Sequence, residues 1–422
     1  MNRVVVTGLG FTTSIGNSRG AVLSSLRECR TGVEVYAPFV EEDQPVKLVG
    51  TVKGYAFPNE DPLDWSMPEH VNIGRAQLRT MSPHALYAIA AMMEAIGDAG
   101  LAPGQVSHPE TGFYCAAGGS PWLLHRGLEI MFKRGVRRSP ATLAIAGMPN
   151  SLHLNATAFF KIKGASVGFS SACASSAHAL GSAFDLIRGG RQKIMFVAGA
   201  EDCMPHNILP FAGLRALTEA ADPEFSPCAF DVARDGFVVT GGGAVLVLED
   251  ASHASARGAR VYAEMAGWGQ ATDGYDVIAP DPSGDGLARA MRIALEDASC
   301  APGAIDYMNA HGTSTIAGDV AEINAVRKVF PAGECPLISS TKSLTGHGLS
   351  LAGAMEAAFC CLAIREGFTP VSAHIRELDP AFRDLPIVTQ PTGARPRTAM
   401  SNSSGFGGGN VSVIFSEYAG GR

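Results

Sequence analysis

Residues 91–104 read AMMEAIGDAGLAPG and residues 290–303 read AMRIALEDASCAPG; aligned without a gap, they share eight of fourteen residues at an offset of 199. Each opens on a helix-favouring alanine-rich pattern and stops at Ala-Pro-Gly, which a helix does not pass through. Each is then followed by an apolar run, GFYCAAGG in the first copy and IDYMNAHG in the second. The same helix, stop and strand met twice mark a duplicated α/β chain. The halves divide as 1–253 and 254–422, with the join near SHASARGAR, residues 252–260, where no flexible Pro/Ser linker intervenes. The offset sets the loop at His311 opposite the one near Gly118, so functional loops of the two halves are expected to meet about a pseudo-twofold, with a site between them.

Further apolar runs extend this reading: VVVTGLG near residue 4, KIMFVAGA from 193 and AVLVLED from 244. They are continuous rather than alternating, which predicts strands buried on both faces in a helix-covered sheet of parallel strands, and the fold class is α/β. A length of 422 residues is long for one core and suits two fused halves. The net charge of −7 carries no long runs, so a partner gripped by charge alone, nucleic acid or membrane surface, is not expected. The opening MNRVVVTGLGFTTSIG is too short in its apolar run and too rich in glycine for a secretory segment, and nowhere do 18 apolar residues follow one another, so a cytoplasmic protein is expected. Nine cysteines without a C-x-x-C or Cys/His spacing indicate neither a disulfide framework nor a metal site.

One cysteine stands apart. In GFSSACASSAHALG, residues 168–181, Cys173 precedes Ala177, Leu180, Phe184 and Ile187 at helical spacing, and Gly189-Gly190 supplies the stop. Packing is the default role of a free cysteine, but a helix N-terminus favours the thiolate, the form that attacks carbonyls. His178 lies five residues along, about 500° of helix rotation, and reads as a packing residue. Two other histidines stand at apparent strand ends among glycines and threonines, His311 in NAHGTST and His347 in KSLTGHGLSLAG. That context gives them little reason to serve core packing. Lys342, five residues before His347, has small and apolar neighbours; it is either a surface charge or a buried one with a partner, for which Glu356 is a candidate.

These stretches together resemble the β-ketoacyl-acyl carrier protein synthases, the condensing enzymes of fatty acid and polyketide synthesis within the thiolase superfamily. The resemblance spans nearly the whole chain: VTGLG at the start, SSACASSAH at the cysteine, RDGFV at 234, AHGTST at 310, TKSLTGH at 341 and MSNSSGFGGGN at 400. Within the family the chain is most similar to the bacterial type I elongation branch, with Gly241 in RDGFVVTGGGAVLVLED where the type II branch usually has glutamate.

The resemblance implies a duplicated thiolase-like fold of five layers, αβαβα, and a homodimer or a heterodimer with a related subunit. It implies acyl transfer onto Cys173 from acyl carrier protein, and a malonyl unit handled by His311 and His347. Lys342 would tune charge around His347, with Glu356 nearby. Thr313 and Thr315 match positions that bond the phosphopantetheine arm, and Asp319 would steady the His311 loop. Backbone N–H groups of Cys173 and Phe406 would bind the oxyanion, and the loop of Gly405, Phe406, Gly407 and Gly408 would gate the acyl pocket. GFGGGN leads into VSVIF, a strand pattern, which removes the helix that a nucleotide phosphate loop requires. No cofactor of the enzyme's own is implied, because phosphopantetheine arrives on the carrier protein.

Carrier proteins are acidic, so a local basic patch is expected: Arg75 and Arg79 match family contact positions, with Ala76 in place of the usual lysine, and FKRGVRRSP adds Lys133, Arg134, Arg137 and Arg138. Two positions depart from the family pattern, Ser404 for phenylalanine and Gly409 for threonine; the loss of a ring beside the nucleophile points to a specialised substrate such as a polyene or aryl-primed chain. A non-catalytic chain-length subunit would lack the nucleophile that Cys173 provides. A thiolase would carry a second cysteine near the C-terminus, and none follows Cys361. An initiating type III synthase would have asparagine at the position of His347.

Overall fold

A computed structural model describes residues 1–139 and 142–420. Its strands are β1 (Val4–Thr13), β2 (Val33–Val35), β3 (Leu48–Gly50), β4 (Thr111–Ala117), β5 (Ser166–Phe169), β6 (Ile194–Glu201), β7 (Gly242–Asp250), β8 (Ala263–Thr272), β9 (Tyr307–Asn309), β10 (Leu337–Ser339), β11 (Thr398–Gly405) and β12 (Gly409–Ser416). β2 and β3 pair with each other, and the other strands run in the order β10-β9-β11-β12-β8-β1-β7-β6-β4-β5. Read outward from β1 and from β8, the two sides repeat one topology. In each, the first strand pairs with the last strand of its half, then come the fourth, second and third. They join where Val4–Val6 of β1 pairs with Ala263–Met265 of β8. The chain between the sides is only the short helix Ala251–Ala256 and a turn.

The sheet is mixed, not parallel. β4 is parallel to β5 and β6, but β7 is antiparallel to both β6 and β1; likewise β9 is parallel to β10 and β11, while β12 is antiparallel to β11 and β8. Apolar continuity reports burial on two faces and carries no information about direction, so AVLVLED, buried along its whole length, is an antiparallel strand.

The five layers follow from where the helices lie. Between the two half-sheets sit helices Ser175–Arg188 and Ala352–Glu366, which touch each other and strands of both halves. The second is buried from Ala352 to Ile364. Their axes approach so closely that a Cβ on Gly353 would lie 2.7 Å from the Ala177 nitrogen. Outside, helix Pro83–Ala99 covers β1, β7 and β6, and helix Asp285–Asp297 covers β8 and β12.

These outer helices contain most of the repeated stretch, and the contact explains the repeat. A Cβ on Gly10 of β1 would meet the Ala91 carbonyl oxygen at 1.8 Å, and one on Gly269 of β8 would meet the Ala290 carbonyl oxygen at 2.2 Å. Helix backbone rests directly on strand backbone in both halves, at the first residue of each repeat.

Candidate active site

The site forms where the loops at the strand ends of both halves converge. After β5 the chain turns sharply through Ala172, held at φ +50, and presents Cys173 just ahead of helix Ser175–Arg188. Strain of this kind persists only where surrounding bonds fix it. Here Ser175 Oγ accepts the Ser171 N–H at 2.8 Å and donates to the Ala172 carbonyl at 2.6 Å. His178 takes part as well: its Nδ1 lies 2.8 Å from Ser171 Oγ. It does not face the thiol, yet it braces the turn that carries the thiol and is not merely packing.

Cys173 Sγ is 3.1 Å from His347 Nε2, and the rings of His311 and His347 meet edge to face with centroids 5.3 Å apart. The RDGFV stretch positions this pair. The His347 N–H donates to the Val238 carbonyl at 2.6 Å, the Thr240 N–H donates to the His347 carbonyl at 3.0 Å, and the Phe237 ring stands edge-on to the imidazole with centroids 5.1 Å apart. Burial, with the Lys342 charge nearby, pushes both histidines well below the ordinary imidazole value, so both are neutral. The Nδ1 atoms of both are buried without a partner. A proton there would be an orphaned donor, the costlier kind of orphan, so the protons sit on Nε2.

Lys342 is buried and paired with the Glu356 carboxylate on the central helix. Burial raises Glu356 towards about 7 while Lys342 pulls it down. Cys173 departs from the sequence expectation. Burial pushes its thiol up to about 12, against the opposing pull of Lys342, so helix position does not make it a resting thiolate.

The His311 loop is held by two carboxylates. Asp319 accepts the N–H of Ser314 at 3.1 Å and of Phe230 at 2.9 Å, and pairs with Arg234 at 3.6 Å. Its hold is thus on the far side of the loop. The N–H groups of His311 and Gly312 go instead to Glu322, at 2.9 and 2.7 Å, which sequence reading passed over. The available signal was spacing: Asp319 and Glu322 lie three apart on a helix whose same face is otherwise Ala, Ile and Val.

Two cavities meet at Cys173. The smaller, about 120 Å³, is lined by His311, His347, Thr313, Thr315 and Ser404. The hydroxyls of Thr313 and Thr315 lie 2.9 Å apart. Ser404 Oγ donates to Asn410 Oδ1 at 2.7 Å, and Asn410 donates in turn to Asp273 at 2.7 Å. Where a phenyl ring was missing there is a hydrogen-bonded chain, on the histidine side of the thiol. Gly409 pairs with Gly405 at the base of the β11–β12 hairpin; nothing in the structure explains its replacing threonine.

The larger cavity, about 330 Å³, lies on the other side of Cys173, and Phe406 lines both. Phe406 rides on the hairpin turn, where Gly407 and Gly408 adopt φ +81 and +76, backbone that favours glycine. Among the described residues, the N–H groups of Cys173 and Phe406 donate to no backbone acceptor. A Cβ on Gly405 would lie 3.1 Å from the Cys173 nitrogen, so the hairpin crosses directly over that amide.

Arg75, Arg79, Arg134, Arg137 and Arg138 are exposed and, among the described residues, form no ion pair; Lys133 pairs with Glu129 at 2.6 Å. Among the described residues no His, Cys, Asp and Glu cluster is arranged to hold a metal ion, and no helix is long and apolar enough to cross a membrane.

Comparison with known proteins agrees with this arrangement. Residues 1–254 match the family model for the beta-ketoacyl synthase N-terminal domain, and residues 262–376 the model for the C-terminal domain. The 3-oxoacyl-[acyl-carrier-protein] synthase 1 of Haemophilus influenzae is 41% identical over 100% of both chains. A beta-ketoacyl synthase from Burkholderia phymatum superposes with a TM-score of 0.90 at 34% identity, covering 99% of this chain and 100% of that one. A type II polyketide ketosynthase, solved in complex with its acyl-carrier protein and bound to the hexaketide, superposes with a TM-score of 0.88 at 27% identity over 99% of this chain and 100% of that one. The chain belongs to the beta-ketoacyl synthase family.

Proposed function

We propose that the protein condenses an acyl chain held on Cys173 with malonyl-acyl carrier protein, releasing CO2 and giving 3-ketoacyl-acyl carrier protein. The observation that carries this is one thiol 3.1 Å from one neutral imidazole, with a second imidazole against the first, where two cavities meet.

The geometry assigns a part to each group. Cys173 Sγ attacks the carrier thioester, a new S–C bond replaces the old one, and the thiol proton passes to the departing pantetheine sulfur. The free N–H groups of Cys173 and Phe406 bind the oxygen of the tetrahedral intermediate. Malonyl thioester then occupies the histidine side, where Thr313 and Thr315 hold the pantetheine arm. Loss of CO2 leaves its bonding pair on the thioester as an enolate, whose oxygen accepts the Nε2–H of His311 and of His347. Such donors are worth most when they are fixed and dry, and burial makes both so. The enolate carbon attacks the acyl-Cys173 carbonyl, the C–S bond breaks, and the departing thiolate takes a proton from solvent to restore the Cys173 thiol. Burial keeps both histidines neutral, and the charge of Lys342, held by Glu356, acts in the same direction; Asp319 and Glu322 fix the loop of His311. Phe406, lining both cavities on a glycine hinge, separates the acyl side from the malonyl side and moves between the two half-reactions.

The carrier is the source of both substrates, and the unpaired arginines Arg75, Arg79, Arg134, Arg137 and Arg138, with Lys133, are its docking surface. No step uses a resident cofactor. The sheet ends at β5, an uncovered edge with Val167 exposed, and Leu124, Leu128 and Phe132 are exposed on the helix Pro121–Arg134; a second copy or a related subunit covers this face.

Incubating the protein with malonyl carrier protein and a panel of acyl carrier proteins, and weighing the products, tests this. Expected is a 3-ketoacyl product two carbons longer that vanishes in Cys173→Ala. No such product from any member of the panel would defeat the proposal.

A further inference from the structure

The cavity on the acyl side of Cys173 is not lined as a sleeve for a plain hydrocarbon. Pro121, Pro210, Phe211 and Phe406 give it apolar walls, but Glu201 and Asn207 face into it as well. Asn207 is only 7% exposed. Its amide nitrogen donates to the Gly119 carbonyl at 3.3 Å. A carbonyl can only accept, so the amide cannot be turned over, and Oδ1 is fixed as the free end. That oxygen is buried and, among the described residues, has no partner. Buried acceptors in folded proteins are nearly always satisfied, so an orphan on a residue that lines a cavity marks a place where something else brings the donor.

Glu201 adds a second polar point. One carboxylate oxygen accepts both the N–H and the hydroxyl of Ser350. The other faces Gly118, where a Cβ would sit 2.5 Å away; glycine there leaves that oxygen uncovered on the cavity wall. Burial raises this carboxyl to about 7, so at neutral pH it can give a hydrogen bond as well as accept one.

We propose that this cavity takes an acyl chain bearing a hydroxyl group, and that Asn207 selects for it by accepting the hydroxyl proton at Oδ1. The inference rests on the ketosynthase reading and names the substrate class of its acyl half. An unsubstituted chain leaves Oδ1 without a donor, whereas a chain whose hydroxyl reaches Asn207 satisfies it. The discrimination acts in the first half-reaction, where the Cys173 sulfur takes the acyl group and the carrier sulfur takes the proton. A site built around a buried polar group rejects the ligand that lacks the matching one more strongly than an apolar pocket rejects one that has it.

The test is acylation of Cys173, followed by mass, from carrier-bound ten-carbon chains: one saturated, and others with a single hydroxyl moved from C3 to the terminal carbon. Wild-type protein should take one of the hydroxylated chains about tenfold or more faster, in kcat/KM, than the saturated chain. Asn207→Leu, of similar volume without the acceptor, should invert that order; Asn207→Ser, which retains an acceptor, should keep part of the preference and serves if the leucine variant does not fold. Equal rates for all chains in wild type, or a preference that survives in both variants, would overturn the inference. If wild type is acylated and condenses but shows no preference, only this inference fails; if neither acylation nor condensation occurs with any chain, the ketosynthase reading fails with it.

Discussion

In the N-terminal half the loop between β5 and helix Ser175–Arg188 carries Cys173; in the C-terminal half the corresponding loop, between β10 and helix Ala352–Glu366, carries Lys342 and His347. The loops after β4 and β9 correspond in the same way, and only the second bears a histidine, His311. The two halves therefore share every pairing of the ten-stranded sheet and differ in the residues at the strand ends. Identity persists where helix backbone lies on strand backbone, at Ala91 over Gly10 and Ala290 over Gly269, because any side chain there would collide. Divergence is free where loops face a cavity. A duplicated unit thus sets a thiol from one copy against two imidazoles from the other, brought opposite each other by the pairing of β1 with β8.

The asymmetry is greatest at the entrance to the central helices. The N-terminal helix begins in serine and alanine, whereas the C-terminal one is preceded by a buried cation neutralised by Glu356 of the helix itself. Lys342→Met should therefore cost about 3–5 kcal/mol in urea unfolding, because it strands a carboxylate in the core. The double variant Lys342→Met with Glu356→Leu should recover most of that stability and none of the condensation rate. If the single and double variants were equally unstable, the pair would not be the buried ion pair described.

Next in size are the two donors of the C-terminal half. His311→Ala and His347→Ala should each slow malonyl decarboxylation about 10²–10³-fold. His347→Ala alone should also slow acylation, since only its ring reaches the Cys173 sulfur. Equal effects of both substitutions on acylation would break the division of labour drawn here.

The repeat itself can be tested at its glycines. Gly10→Ala and Gly269→Ala should each destabilise by about 1–3 kcal/mol, and by similar amounts, since each Cβ meets a helix carbonyl. Gly97→Ala, on the same outer helix with open space around it, should be neutral or stabilising. A large difference between the first two in thermal unfolding would show that the halves do not bear their shared contact alike.

Much of this was legible before any coordinates. The repeat, the buried strands and the motif order point to a duplicated α/β fold, and Cys173, His311, His347 and Lys342 were singled out by context. Strand direction was not legible, because a run such as AVLVLED looks the same whichever way its neighbours run. For Glu322 the spacing from Asp319 on an apolar helix face signals burial but not its role, because its partners are the backbone N–H groups of His311 and Gly312, which leave no mark in a sequence. Asn207 escaped for a related reason: an asparagine in CMPHNILPF signals nothing until its amide is seen tied to Gly119 and its oxygen left bare. Helix rotation sets His178 aside despite its nearness in sequence, and the histidine that touches the thiol lies 174 residues away; what the sequence does not show is that His178 braces the turn.

The smallest effect is the one expected of pH. Burial holds His311 and His347 well below the ordinary imidazole value and lifts Cys173 to about 12, so none of the three changes protonation between pH 6.5 and 8.5. None of the three should therefore put a step into the decarboxylation rate over that range; a step near pH 7 would report the carboxyls that burial lifts to about 7, Glu356 beside Lys342 and Asp319 under the His311 loop. Alkylation of Cys173 by iodoacetamide should instead climb about tenfold per pH unit through it without a plateau, because the reactive thiolate is a small fraction throughout. Stability follows a different course. The unfolded chain takes protons on these histidines near pH 6.5 while the folded chain does not, so their burial costs stability only as pH falls below about 6.5. A thiolate plateau near neutral pH would mean that the N-terminal half alone activates its cysteine. A steady climb means that the sulfur rests as a thiol, beside the imidazole that the other half provides.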